Sequence, residues 1–253
     1  MTVLPDMAMT VLSVQGIQKA YGGVQAVRGV SFGVAAGELV AMIGPNGAGK
    51  TTCFNLLDGQ IEPDAGEILI AGRSIAGLKP RHVWRLGVGR TFQITATFGS
   101  MTVRENVQVA LLSNHRKFGL WEKATTFKIE EAENLLSRVG MLEQAARPCA
   151  ELAYGDLKKV ELAMALASQP RLLLMDEPTA GMAPGERSAL MELAASLARR
   201  ERIAVLFTEH DMEVVFGHAD RVIVLHSGEI IAAGAPAQVR ADPRVQEVYL
   251  GHA

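Results

Sequence analysis

Residues 44–52 read GPNGAGKTT and lie between an apolar stretch, ELVAMI, and a helix-forming one, KTTCFNLLDG. The segment fits the pattern G-x-x-x-x-G-K-[ST], and strand–turn–helix is the context that pattern requires. Gly44, Gly47 and Gly49 let backbone N–H groups converge on an anion with no Cβ in the way, and Pro45, Asn46 and Ala48 complete the cradle. Lys50 is placed to reach the β- and γ-phosphates of a nucleoside triphosphate. Thr51 is placed to ligate Mg²⁺, and Thr52 to donate to a further phosphate oxygen.

A second stretch, RLLLMDEPTAG, supplies the acidic half of such a site. Asp176 and Glu177 follow a continuous apolar run, at the strand end where ligands of a parallel sheet bind. Asp176 reads as a holder of Mg²⁺, mainly through a water, and Glu177 as the group that orients and deprotonates an attacking water. Phosphoryl transfer to water needs little beyond this positioning and charge neutralisation.

The rest of the chain supports a layered α/β fold. VLSVQGIQKAYGG and VQAVRGVSFGVAAGELVAMIG read as strands broken by glycines, and AGEILIAG returns to strand. Residues 100–167 read as mostly helical: Thr102 and Glu105 form a capping box for a helix through Leu112. KIEEAENLLSRVG puts Ile129, Ala132, Leu135 and Leu136 on one face. Between them NHRKFGLWEKATTF, with Phe118, Leu120 and Trp121, is either an irregular insertion or a docking element. From Arg171 onward buried strands alternate with helices, which indicates a largely parallel sheet.

Composition narrows the class. Hydrophobic residues make up 49% of the 253 and charged residues 21%, enough for a sizeable core. The formal net charge of −2 argues against a nucleic-acid footprint. Cys53 and Cys149 lie too far apart for a metal pair and fit a reducing compartment. No Lys or Arg precedes Lys19, so a secretory n-region is lacking, and no apolar run approaches the ~20 residues that span a bilayer.

In order along the chain stand Tyr21 in KAYGG, the phosphate loop, Gln93 in GRTFQ, LAYGD at 152–156, LLLMDEP, and His210 in TEHD. Together these resemble the ATP-binding subunit of an ABC transporter. Within that family MTVRENV, LAYGD and the ending YLG resemble the branched-chain amino acid uptake ATPases; relatives of that group take up amides, urea or aromatic acids. The resemblance implies one nucleotide-binding domain over 1–253, with a P-loop NTPase core at about 1–93 and 156–253. It adds an N-terminal antiparallel β layer and a helical subdomain at about 94–155.

The same resemblance assigns roles. Tyr21 would stack on adenine, Gln93 would contact Mg²⁺ and the lytic water, and His210 would help hold Glu177 and the γ-phosphate. Two subunits would sandwich two ATP molecules head to tail, so Ala153, Tyr154, Gly155 and Asp156 would meet the ATP of the other subunit. Integral membrane permease subunits would dock near Gln93. An extracellular or periplasmic solute-binding protein would act indirectly, and the chain would lie peripherally at the cytoplasmic face of the plasma membrane.

Two positions depart from the family pattern. Ala153 stands where serine is usual, and Ala183 where an aspartate often ends the loop after Glu177. Both are groups a subunit lends to its partner's ATP, which favours a heterodimer with a paralogue over a homodimer. A soluble ABC ATPase of DNA repair or translation would carry coiled-coil arms or two ATP modules. A P-loop kinase would need an acceptor pocket in place of Glu177 and His210. A lipid exporter ATPase is the nearest alternative among transporters.

Overall fold

The structure, a computed structural model, describes residues 10–91, 97–114 and 128–250. Gln93 and the stretch Phe118–Trp121 therefore lie outside the described residues. The chain runs β1 (Thr10–Tyr21), β2 (Val24–Ala35), β3 (Leu39–Ile43), α1 (Lys50–Leu57), β4 (Ala65–Ile70), β5 (Arg73–Ser74), α2 (Pro80–Arg85) and β6 (Val88–Thr91). It continues through α3 (Val103–Asn114), α4 (Ile129–Arg138), α5 (Tyr154–Leu166), β7 (Leu172–Asp176), α6 (Pro184–Glu201), β8 (Ala204–Thr208) and α7 (Met212–His218). The hairpin β9 (Arg221–His226) and β10 (Glu229–Gly234) leads into α8 (Pro236–Ala241) and α9 (Pro243–Leu250).

Two sheets form. One is antiparallel and four-stranded in the order β2-β1-β4-β5; the other is six-stranded in the order β10-β9-β3-β8-β7-β6. In the second, β3 pairs in parallel with β8 and β9, β7 with β6 and β8, and only β10 runs antiparallel. This is the largely parallel sheet that the apolar runs predict, together with the antiparallel β layer and P-loop NTPase core that the resemblance implies.

The apolar runs follow from burial on both faces. Alternate residues of a strand point to opposite sides. Leu39, Ala41 and Ile43 of β3 join the core under α3–α7, whereas Val40 and Met42 join a second core with Phe54 of α1 and the antiparallel sheet. A strand covered on both sides reads as a near-continuous apolar run, as β3 does and as β8 does up to Thr208, whose hydroxyl is hydrogen-bonded. Each fully buried Leu, Ile or Phe here contributes roughly 1.5–3 kcal/mol.

The helical region packs α3, α4 and α5 through Val103, Val107, Leu111, Ala132, Leu136 and Val160. Its capping box is formed as the sequence reads: the Thr102 N–H donates to Glu105 Oε2 at 2.8 Å, and the Glu105 N–H to Thr102 Oγ1 at 3.2 Å. Helix α3 runs to Asn114, two residues past Leu112; the Ser113 hydroxyl takes up the Ala110 carbonyl at 2.8 Å in that extra turn. Among the described residues no helix is long and apolar enough to cross a membrane.

Candidate functional site

The phosphate loop is clamped between β2 and the β9–β10 turn. A Cβ on Gly44 would stand 2.2 Å from the Leu225 carbonyl oxygen, and one on Gly49, where φ is +105°, would stand 2.4 Å from that of Ala26. No other residue fits either position. The Gly228 N–H donates to the Ala48 carbonyl at 3.0 Å, and the Gly228 carbonyl accepts from Arg28 N–H at 2.8 Å. Gly49 caps α1 without a side chain, so the first-turn N–H groups of α1 stay available to an anion.

Lys50 is almost fully buried and folds back on its own loop. Its ammonium donates to the carbonyls of Gly44 at 2.6 Å and Pro45 at 3.2 Å. Desolvation pulls its pKa below the ordinary lysine value, and the charges of Glu177 and Asp176 oppose that shift. Thr51 is exposed at the start of α1 and Thr52 half-buried.

The acidic pair sits at the C-terminal end of β7. Asp176 Oδ1 accepts from the Thr208 hydroxyl at 2.8 Å, and Oδ2 from Arg90 Nη2 at 3.1 Å. Glu177 adopts φ +47°, a left-handed conformation that costs a side-chain-bearing residue energy. It is held there because its N–H donates to both Thr208 Oγ1 and the Thr208 carbonyl at 3.1 Å. Its Oε1 lies 2.8 Å from Nε2 of His210.

His210 is fixed from behind by Glu209. That buried carboxylate accepts from the Thr179 N–H at 2.8 Å, the Thr179 hydroxyl at 2.7 Å and the His210 N–H at 3.2 Å. One strand end, β8, therefore positions Asp176, Glu177 and His210 together through Thr208 and Glu209. The sequence does not single out Arg90, Thr208 or Glu209. An arginine inside the short strand VGRT was the visible signal for the first; the other two had none beyond adjacency to His210.

The remaining predicted residues lie apart. Tyr21 ends β1 half-exposed, with the Lys19 ammonium 6.0 Å from its ring centroid. Ala153 is the N-cap of α5 and offers no side-chain cap. Gly155 is buried where a Cβ would meet the Glu186 carboxylate at 3.2 Å, and a Cβ on Gly181 would lie 3.6 Å from the Tyr154 ring. Asp156 pairs with Lys159 at 2.9 Å. The 152–156 loop thus packs on the segment after Glu177. Among the described residues, the hydrogen bonds and ion pairs of Ala153–Asp156 stay within α5 and do not reach the phosphate loop.

Comparisons with known proteins identify the family. Residues 27–180 match the family described as ABC transporter. The chain belongs to that family. Residues 229–253 match a second description, Branched-chain amino acid ATP-binding cassette transporter. This ABC chain is 40% identical over 255 residues to the High-affinity branched-chain amino acid transport ATP-binding protein LivG of Escherichia coli (strain K12), covering 98% of the chain and 100% of the relative. It superposes with a TM-score of 0.85 on the ADP conformation of MJ1267, an ATP-binding cassette of an ABC transporter; the two are 31% identical and 96% and 100% covered. The cassette of the dimeric structure of MJ0796 gives 0.74 at 25% identity, with 89% and 98% covered. The chain is an ABC ATPase that binds nucleotide.

Proposed function

We propose that this chain is the ATP-binding and hydrolysing subunit of a membrane importer for branched-chain or other hydrophobic amino acids. The relative that carries that name matches along its whole length, and the C-terminal residues match the branched-chain description. The observation that carries the chemistry is the convergence of Asp176, Glu177 and His210 at the strand ends, with Lys50 close enough to feel both carboxylates.

In this reading the Gly44–Gly49 backbone and Lys50 bind the β- and γ-phosphates, and Lys50 gives up its loop carbonyls to do so. Glu177 orients and deprotonates the attacking water, and His210 holds Glu177 in place through their hydrogen bond. The Thr51 hydroxyl and the Asp176 carboxylate are hard oxygen donors that suit Mg²⁺, with Gln93 as a further contact by resemblance. When bound, that ion supplies neutralisation of charge on the phosphates. Tyr21 stacks on adenine.

The functional unit is a nucleotide-binding domain with a core at about 1–93 and 156–253 and a helical part at about 94–155. It pairs with a second ATP-binding subunit, so that Ala153–Asp156 meet the partner's ATP, and it serves integral permease subunits at the cytoplasmic face of the membrane. ATP binding closes the pair and hydrolysis reopens it. The missing hydroxyl at Ala153 and missing carboxylate at Ala183 favour a paralogue as the second subunit.

The test is molar mass in solution with MgATP, using Glu177→Gln to block hydrolysis. A chain that binds ATP yet dimerises only with its paralogue supports the heterodimer, and a tight dimer of this chain alone overturns it. Uptake of labelled leucine by cells whose only copy of this chain is Glu177→Gln should fall to background. Undiminished uptake would remove the amino-acid assignment.

A further inference from the structure

Arg90 stands on β6 with its side chain only 11% exposed, between two elements of the site. Its Nη1 donates to Asn55 Oδ1 at 2.9 Å and pairs with Asp58, while Nη2 donates to Asp176 Oδ2 at 3.1 Å. The guanidinium also lies 5.8 Å from the Phe54 ring centroid. Asn55 sits in α1 and Asp58 is its C-cap; α1 is the helix that opens with Lys50. One side chain therefore ties the far end of the phosphate-loop helix to the carboxylate at the end of β7.

Two carboxylates at 12% and 16% exposure need a cation, and a planar fork reaches both at once where an ammonium would not. Asp176 also receives the Thr208 hydroxyl on its other oxygen. A carboxylate has about four lone-pair directions, so one donor on each oxygen fixes its plane and leaves each oxygen one direction free. Such a group can accept from a water, but it cannot turn freely toward a cation.

We propose that Arg90 is a positioning residue for Asp176: it fixes the carboxylate plane and offsets its charge, so that Asp176 acts on the Mg²⁺ of the nucleotide through water rather than swinging onto the ion. This rests on the role proposed for Asp176. Without the guanidinium, Asp176 is a stronger and less directed cation ligand. Metal–nucleotide affinity then holds or rises while turnover falls, because only the geometry needed in the transition state is lost.

The experiment compares Arg90→Gln and Arg90→Lys with the unaltered chain and with Asp176→Asn. Affinity for a non-hydrolysable ATP analogue is measured in EDTA and with Mg²⁺, beside kcat, KM and Tm. In Arg90→Gln the EDTA affinity should be unchanged, the Mg²⁺ affinity equal or tighter, and kcat lower by roughly 10–100-fold, as for partners of metal ligands. Arg90→Lys should recover part of kcat. If Arg90→Gln fails to fold, Arg90→Lys carries the test, because a lysine cannot bridge Asn55, Asp58 and Asp176 together. Unchanged kcat in the lysine variant, or affinity in EDTA and with Mg²⁺ falling alongside Tm, overturns the proposal. Full turnover in Asp176→Asn removes the role of Asp176 itself, whereas an inactive Asp176→Asn beside a fully active Arg90→Gln removes only the role of Arg90.

Discussion

His210 Nε2 lies 2.8 Å from Glu177 Oε1, and Glu177 holds that position at φ +47°. The strained backbone and the hydrogen bond act together: the first sets how the side chain leaves the end of β7, the second ties its carboxylate to His210. Both depend on β8, which presents Thr208 to the Glu177 N–H and His210 to its side chain.

If Glu177 is the base, as proposed above, replacing it by Gln keeps the shape and removes that base, so ATP hydrolysis should fall by roughly 10²–10⁴-fold, the usual worth of general-base catalysis. Nucleotide affinity should stay, because the phosphate loop is untouched. His210→Ala should cost less than Glu177→Gln, since Thr208 still fixes the Glu177 backbone. Phosphate release and equilibrium ATP binding, measured side by side, check both statements.

Glu209 offers a sharper separation of positioning from chemistry. It receives hydrogen bonds from the Thr179 N–H, the Thr179 hydroxyl and the His210 N–H. In Glu209→Gln the amide nitrogen must face at least one of these donors, leaving it unsatisfied at about 1–3 kcal/mol. At this chain length each kcal/mol corresponds to roughly 2–4 °C in Tm. The melting temperature should drop accordingly, and turnover with it, while ATP affinity changes little.

Much of this was legible in the sequence, and the division has a physical cause. Strands β3, β7 and β8 announce themselves because burial on both faces makes them apolar up to the Asp176 and Thr208 ends, and the phosphate loop because its glycines and lysine are fixed in spacing by the ligand. Glu177 and His210 carried their own local signal. Arg90 did not: its partner Asp176 is 86 residues away, and only the pairing of β6 with β7 brings them together. Glu209 has no signal in the sequence beyond standing next to His210, and only the fold shows that Thr179 covers it.

Cys53 tests the burial of α1. It is fully enclosed beside Phe54, and desolvation pushes its pKa from 9.0 to about 12. A raised folded-state pKa stabilises the fold fully below 9.0, and that contribution is lost as the pH climbs toward about 12. Stability should therefore fall over that range in the native chain, and the Cys53 part of the fall should vanish in Cys53→Ala. The thiol should also resist alkylation at neutral pH until denaturant is added. Thermal melts at stepped pH and thiol titration give the two readings.

The two alanines that depart from the family pattern share a structural position. Ala153 is the N-cap of α5 and Ala183 the N-cap of α6, both with extended backbone and neither with a side-chain acceptor. At Ala183 the Glu186 carboxylate accepts the cap N–H at 3.3 Å, so half of a capping box is already in place. Serine at 153 or aspartate at 183 would accept first-turn N–H groups that now lack a cap, and each should add about 0.5–2 kcal/mol to stability. The sites are on different helices yet in contact through Gly155 and Glu186, so the double variant need not be additive. Melting temperatures of Ala153→Ser, Ala183→Asp and the pair give the energies, and molar mass with MgATP in the Glu177→Gln background gives the partner effect. If the paralogue normally supplies the fuller contacts, the double variant should dimerise alone where the parent chain stays monomeric. Gain of stability without gain of dimer would mean that these positions act on the fold of one subunit and not on its pairing.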